Sequence, residues 1–147
     1  MKTVSQLLRV KGHAVWGIAP DASVFEAIRL LAEKDIGALA VMEDDRLVGI
    51  FSERDYARRI ILHGLSSKTT PVAEVMTRKV IVADPEKTVE ECMALMTEKR
   101  VRHLPIMEGD RLVGMISIGD LVKAIIAEQQ FVIAQLENYI YGRTPVH

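Results

Sequence analysis

The chain has 147 residues, 49% of them hydrophobic and 27% charged, with 19 basic against 20 acidic side chains. That bounds it to one domain or two very small ones, and a formal charge of −1 provides no field to draw in nucleic acid or an anionic membrane. Few glycines and prolines argue against a disordered or fibrous protein, and the positive mean hydropathy of +0.15 hints at apolar surface covered by a partner subunit.

The N-terminal stretch MKTVSQLLRVKGHAVWG lacks an apolar h-region and a small-residue cleavage site. No stretch approaches the roughly 18 apolar residues that span a bilayer. Cys92 is the single cysteine, which rules out an intramolecular disulfide and fits a buried structural thiol. These features together predict a cytoplasmic protein with no membrane segment.

In chain order, an apolar lead-in at Val4 to Leu8 precedes a strand candidate at Ala14 to Ile18. Ser23 then stands as N-cap of a helix whose buried face is Val24, Ala27, Ile28 and Leu31, at i, i+3, i+4, i+7 spacing. Two apolar runs follow, Ala38 to Met42 and Leu47 to Phe51, around a turn at Asp44-Asp45, and then a second helix. A polar connection, HGLSSKTTP, leads to Thr70-Pro71, read as an N-cap and a first helical residue for the short helix PVAEVM, which matches the lead-in. The pattern then recurs: a strand candidate at Val80 to Val82, Thr88 as cap, a helix facing inward with Val89, Cys92, Met93 and Met96, strands at Leu104 to Met107 and Leu112 to Ile116 around Gly109-Asp110, and a final helix.

This recurrence is an internal repeat: an offset of 65 aligns residues 18–61 with 83–126 without a gap. Pro20/Pro85, Leu39/Leu104 and Met42/Met107 are identical pairs, and DRLVG occurs at Asp45 to Gly49 and again at Asp110 to Gly114. Each copy reads β-α-β-β-α, a mixed α/β (α+β) unit too small to cover its own sheet. Two copies should therefore pack as one pseudo-twofold module, divided as 4–62, a linker 63–71, 72–127, and an extension 128–147. Residues 119–141 read as one long helix with a stripe of Val122, Ile125, Gln129, Val132, Leu136 and Tyr139. The stripe runs past the repeat, which predicts a helix packed across a homodimer.

In both copies the last strand runs into a helix through one pattern, Gly49-Ile50-Phe51-Ser52-Glu53-Arg54-Asp55 and Gly114-Met115-Ile116-Ser117-Ile118-Gly119-Asp120. A helix N-terminus entered from a strand offers N–H groups to an anion. A serine hydroxyl at that rim, and an aspartate one turn on whose two oxygens suit a cis-diol, would hold a nucleoside phosphate. Ser-x-x-Asp is also close to a capping box, which satisfies only the helix itself.

The tandem units with G-h-x-S-x-x-D, h being apolar, resemble a pair of CBS domains (a Bateman module), over about Val4 to Ile126. The likeness is greatest to small stand-alone CBS-pair proteins without a catalytic domain. It implies two clefts between the repeats for AMP, ADP or ATP, and sometimes NAD or S-adenosylmethionine. On this resemblance Asp55 and Asp120 hold ribose, and Ser52 and Ser117 lie near ribose or phosphate. The residues before the middle strand also take part: Gly37 and Ala38 would leave backbone groups open to an adenine edge, while Arg102 and His103 would meet a phosphate. Arg54 is a further phosphate candidate, and Trp16 and Ile18 could pack on a base or in the core.

Walker A, G-x-G-x-x-G, H-E-x-x-H and spaced Cys/His sets are missing from the sequence, and His13, His63, His103 and His147 fall in separate segments. The expectation is a nucleotide-sensing regulatory module rather than an enzyme, without catalytic cofactor or metal, read by an unidentified regulated protein. The rival is a homodimeric scaffold with vestigial clefts. The two copies differ at Glu53-Arg54 against Ile118-Gly119 and at Gly37-Ala38 against Arg102-His103, so the two sites should be unequal.

Overall fold

A computed structural model describes residues 2–141; His147 and the expected tail beyond 141 lie outside them. The chain opens with α1 (Val4–Lys11), β1 (Gly17–Ile18), α2 (Val24–Lys34), β2 (Ala38–Glu43), β3 (Arg46–Ser52) and α3 (Glu53–Asp55). α3 widens directly into a π-helical turn, Tyr56–Ile61. The second half holds α4 (Val72–Val75), α5 (Val89–Lys99), β4 (His103–Glu108), β5 (Arg111–Ser117) and α6 (Ile118–Tyr141).

Local chemistry explains most of these elements. Ser23 and Thr88 cap α2 and α5 as expected, accepting from the amides of Glu26 and Glu91, and Thr3 caps α1 in a box with Gln6. The hairpin between β2 and β3 turns on Asp44 and Asp45, both at positive φ, which suits the right-handed twist of the strands. Two expectations fail. Pro71 is itself the N-cap of α4, with no side-chain cap bond, rather than its first helical residue. Val80 to Val82 form no strand, and only Ala83 bridges β4, at Ile106. The reason is visible at the matching step of the first repeat, where the Ala40 amide donates to the Trp16 carbonyl at 3.1 Å. Its counterpart is Pro105, which has no N–H to give.

The first sheet is ordered β1-β2-β3, parallel then antiparallel, and the second is the β4-β5 hairpin. Both hairpins bulge at the same place, Val41/Met42 and Ile106/Met107. Each sheet packs one face on its own helices. In the first core Val24, Ala27 and Leu31 of α2 meet Leu39, Val41 and Phe51; in the second Val89, Cys92 and Met96 of α5 meet Leu104, Ile106 and Ile116. The other faces meet between the repeats through Ala38, Ala40 and Met115.

The lead-in helices are exchanged. Val4, Leu7 and Leu8 of α1 sit in the core of the second repeat, whereas Val72, Val75 and Met76 at α4 sit in the core of the first. Matching backbone bonds fix the exchange: Val4 N donates to Lys87 O at 2.8 Å, and Val72 N to Ala22 O at 2.8 Å. The division by chain order groups Val4 to Leu8 with the first repeat, but its packing partner is the second. α6 leaves the body after one buried anchor, Leu121. From Ile126 onward every residue to Tyr141 is exposed except Asn138.

Candidate functional site

A cleft of about 660 Å³ opens where the end of β3 and α3 of the first repeat face the α5–β4 junction and the segment after α4. From the first repeat it is lined by Gly37, Ile50, Ser52, Glu53, Arg54, Asp55, Arg58 and Arg59, and from the rest by Thr77, Lys79, Val80, Ile81, Arg100, Val101, Arg102 and His103. Six arginines and lysines therefore face two carboxylates, in a chain whose formal charge is −1. The size is that of an ordinary small-molecule site.

Asp55 is the buried carboxylate of this cleft, 9% exposed. Its Oδ2 accepts from the Ser52 amide at 3.0 Å and lies 3.1 Å from Ser52 Oγ, and its own amide donates to that Oγ at 3.2 Å. This is a full capping box. Its Oδ1 accepts from Thr77 Oγ1 at 3.2 Å and faces Arg59 Nε at 3.8 Å. Arg59 is held in turn by the carbonyls of Val75 and Met76, both at 2.9 Å. The Glu53 amide donates to the Gly37 carbonyl at 3.1 Å. Two amides of the first helical turn are thus already engaged, which corrects the expectation of open N–H groups at the helix start. An anion here meets side-chain cations first.

Among those cations Arg58, Lys79, Arg100 and Arg102 make no ion pair within the described residues. Arg100 ends α5 in the left-handed conformation, φ 56, and its carbonyl accepts from Arg54 at 3.3 Å, so the two repeats are joined across the rim. His103 stands against Gly37, where an added Cβ would lie 3.0 Å from its Nε2. Burial lowers the His103 pKa from the ordinary imidazole value, the Lys11 charge adds to this, Asp120 opposes it and Arg102 adds again.

The second copy of the motif is built alike but filled differently. The Ser117 amide donates to Asp120 Oδ2 at 2.8 Å, and the Asp120 amide to Ser117 Oγ at 3.1 Å. Lys11, the last residue of α1, donates from Nζ to that same Oδ2 at 2.6 Å and also to the Met115 carbonyl. Burial acts to raise the Asp120 pKa, but the bond from Lys11, the Ser117 amide and the Lys11 charge outweigh it and hold the carboxyl below its ordinary value.

The structure brings Gly37, Ser52, Arg54, Asp55, Arg102 and His103 together at one cleft. Ala38 does not join them: it is buried between the repeats and paired with Ser52 in the β2–β3 ladder, and the Gly37 carbonyl is taken by Glu53. One of the backbone groups expected to be open to an adenine edge, the Gly37 carbonyl, is therefore already engaged. Ile18 packs on the first core. Trp16 is 43% exposed, with Lys34 Nζ 4.1 Å over its ring, so it fills neither the core nor this cleft. Sequence reasoning missed Arg58, Arg59, Thr77, Lys79, Arg100 and Lys11. The available signals were Arg58 and Arg59 at i+3 and i+4 from Asp55, which share a helical face with it, and the run Thr77-Arg78-Lys79.

Comparison with known proteins agrees with this architecture. The family model described as "CBS domain" matches residues 13–62 and 72–127. The mitochondrial CBS domain-containing protein CBSX3 of Arabidopsis thaliana is 38% identical over 149 residues, covering 95% of this chain and 72% of that protein. A crystal structure of a CBS domain is similar at 52% identity and a TM-score of 0.82, covering 85% of this chain and 98% of the other. A CBS-domain containing protein from Agrobacterium tumefaciens is similar at 40% identity and a TM-score of 0.80, covering 84% and 98%.

Proposed function

The chain belongs to the CBS-domain family, two repeats in tandem, and from that premise we propose that its open cleft binds an adenine nucleotide as a regulatory signal. The observation that carries this is the charge of the cleft: six arginines and lysines against two carboxylates, at odds with the near-neutral chain. AMP, ADP, ATP and NAD all bring phosphate to such a site. S-adenosylmethionine carries a sulfonium cation and no phosphate, so the same charge disfavours it. In this reading Asp55 holds ribose with Ser52 beside it; Arg54 and Arg102 meet phosphate with Lys79 and Arg100, and His103 and Gly37 close the wall between the repeats. Ile50, Val80 and Ile81 supply the apolar side for the base. Asp120 and Ser117 are the matching ribose and phosphate positions of the second cleft, where Trp16 replaces Ile81.

A ligand binding both repeats would change their relative placement, and a regulated protein would read that change through its unequal affinity for the two states. We assign no catalytic role to any residue. The exposed stripe on α6, Val132 and Leu136 among it, supports a homodimer built through that helix. No helix among the described residues is long and apolar enough to cross a membrane; the cytoplasm is the compartment we propose, tested by fractionation of tagged protein.

A panel of AMP, ADP, ATP, NAD, NADH and S-adenosylmethionine in a thermal-shift assay tests the reading. A ligand at 100 times its dissociation constant stabilises by about 2.7 kcal/mol, and affinity should rise from AMP to ATP. Asp55→Ala should remove the shift. The scaffold reading, with vestigial clefts, is favoured by one observation: both Ser-x-x-Asp pairs form capping boxes. No shift with any nucleotide would decide for it.

A further inference from the structure

We propose that Lys11 closes the second cleft from within, so that the wild-type chain takes one phosphorylated nucleotide, in the first cleft, and keeps its second sugar site shut. The inference rests on the nucleotide reading above and adds the stoichiometry and the residue that sets it.

Lys11 and Lys79 occupy equivalent places in the exchanged lead-in segments. Each stands three residues after the side chain that lies against a motif glycine, Leu8 against Gly114 and Met76 against Gly49. Lys79 lines the open cleft without an ion pair. Lys11 instead spans 109 residues of sequence to bond Asp120 Oδ2 at 2.6 Å, and bonds the Met115 carbonyl as well. One lysine is left for a ligand, and the other takes the ligand's place.

The surroundings explain why the second cleft needs its own cation. At the 65-residue offset the cations Arg54, Arg59, Arg100 and Arg102 of the first cleft become Gly119, Ala124, Asp35 and Gly37, and Arg58 alone stays basic, as Lys123. Lys11 is the ion-pair partner of the part-buried Asp120, which would otherwise be an uncompensated charge. The Lys11 ammonium provides the compensation, and four lost cations against one kept weaken the grip on phosphate. With Lys11 displaced, the site suits a nucleoside without phosphates, whose ribose hydroxyls donate to Asp120.

Equilibrium dialysis tests this, with labelled ATP and then with labelled adenosine in the presence of 1 mM ATP (about a physiological excess). The proteins are wild type, Lys11→Gln, and Lys11→Met, which keeps the aliphatic stem; folding of each is checked by urea titration. The expected result is one ATP per chain in all three, with adenosine bound at least about ten-fold more tightly by both variants than by wild type, a difference of about 1.4 kcal/mol. Two ATP per chain in wild type, or no gain of adenosine by either folded variant, would overturn the closure and leave the first cleft standing. Adenosine gained by the variants while wild type binds no ATP would overturn the nucleotide reading of the first cleft and support the closure. No ligand bound by any of the three would overturn both.

Discussion

Gly49→Ala should cost about 2 kcal/mol of stability, because Gly49 is where the repeat motif meets the exchanged helix. A Cβ at this position would lie 2.5 Å from Met76 Sδ, 3.0 Å from Met76 Cγ and 3.0 Å from the Thr77 carbonyl oxygen. Met76 is 4% exposed and has little room to move. The Thr77 carbonyl cannot retreat cheaply either, since it accepts from the Ile50 amide at 2.9 Å while the Thr77 amide donates to Ile50 O at 2.8 Å. Overpacking of this kind costs about 1–3 kcal/mol, and loss of one of the two backbone bonds adds about 1 kcal/mol. Relief of glycine's chain entropy returns roughly 0.5–1 kcal/mol. The matched change Gly114→Ala meets only the side chain of Leu8, Cδ2 and Cδ1 at 2.8 and 2.9 Å and Cγ at 3.4 Å, with no backbone bond at stake, and should cost about 1 kcal/mol on the same arithmetic. Urea denaturation followed by far-ultraviolet circular dichroism at one protein concentration measures both. In melting temperature the Gly49 change corresponds to roughly 4–8 °C. Because Thr77 also donates to Asp55 at 3.2 Å, Gly49→Ala should weaken ATP binding while Gly114→Ala leaves it unchanged. A Gly49→Ala protein as stable as Gly114→Ala would refute the reasoning.

Three other changes probe the site and the surface. Arg100→Gly relieves a non-glycine residue at φ 56, so it should gain about 0.5–1 kcal/mol of stability yet weaken ATP binding by about ten-fold; a parallel loss of both would place Arg100 in the fold rather than the site. His103 has a lowered pKa, so the unfolded chain binds its proton more readily than the folded one. Stability should therefore be full above about pH 6.5 and fall as pH drops from there toward the folded value, and His103→Gln should flatten that slope in urea titrations across pH 5 to 8 (roughly the imidazole range). ATP phosphates beside His103 should raise its pKa, so calorimetry in buffers of different ionisation enthalpy should detect proton uptake on binding near pH 6, roughly one unit below neutrality. Leu136→Glu on α6, at a position 55% exposed in the single chain, should convert a sedimenting dimer to monomer with no change in the ATP affinity of the cleft; dimer retained at micromolar concentration would move the interface off α6.

The repeat, the caps and the two helix faces were legible in the chain because each depends on residues within one turn or one hairpin. Ser23, Thr88 and the stripes at Val24 and Val89 act locally, and an offset of 65 exposes the duplication with no reference to space. The motif residues Ser52 and Asp55 were legible for the same reason, being three apart at a helix start, although the capping box they form and the ligand role they suggest read identically in one dimension. The missing strand at Val80 to Val82 was within reach, since it follows from Pro105 standing where the first repeat has Ala40. Only the tertiary structure decided the rest. It put α1 on the second repeat and α4 on the first, carried Arg100 and Arg102 to the rim above Asp55, set His103 against Gly37, and brought Lys11 across 109 positions to Asp120. Those juxtapositions come from packing two incomplete sheets face to face, where burial of Ala38, Ala40 and Met115 fixes the geometry. Local periodicity reports which face of an element is buried, but it carries no information about which distant charges that burial will bring together. The sequence therefore determined two like units, and their packing made two unlike clefts.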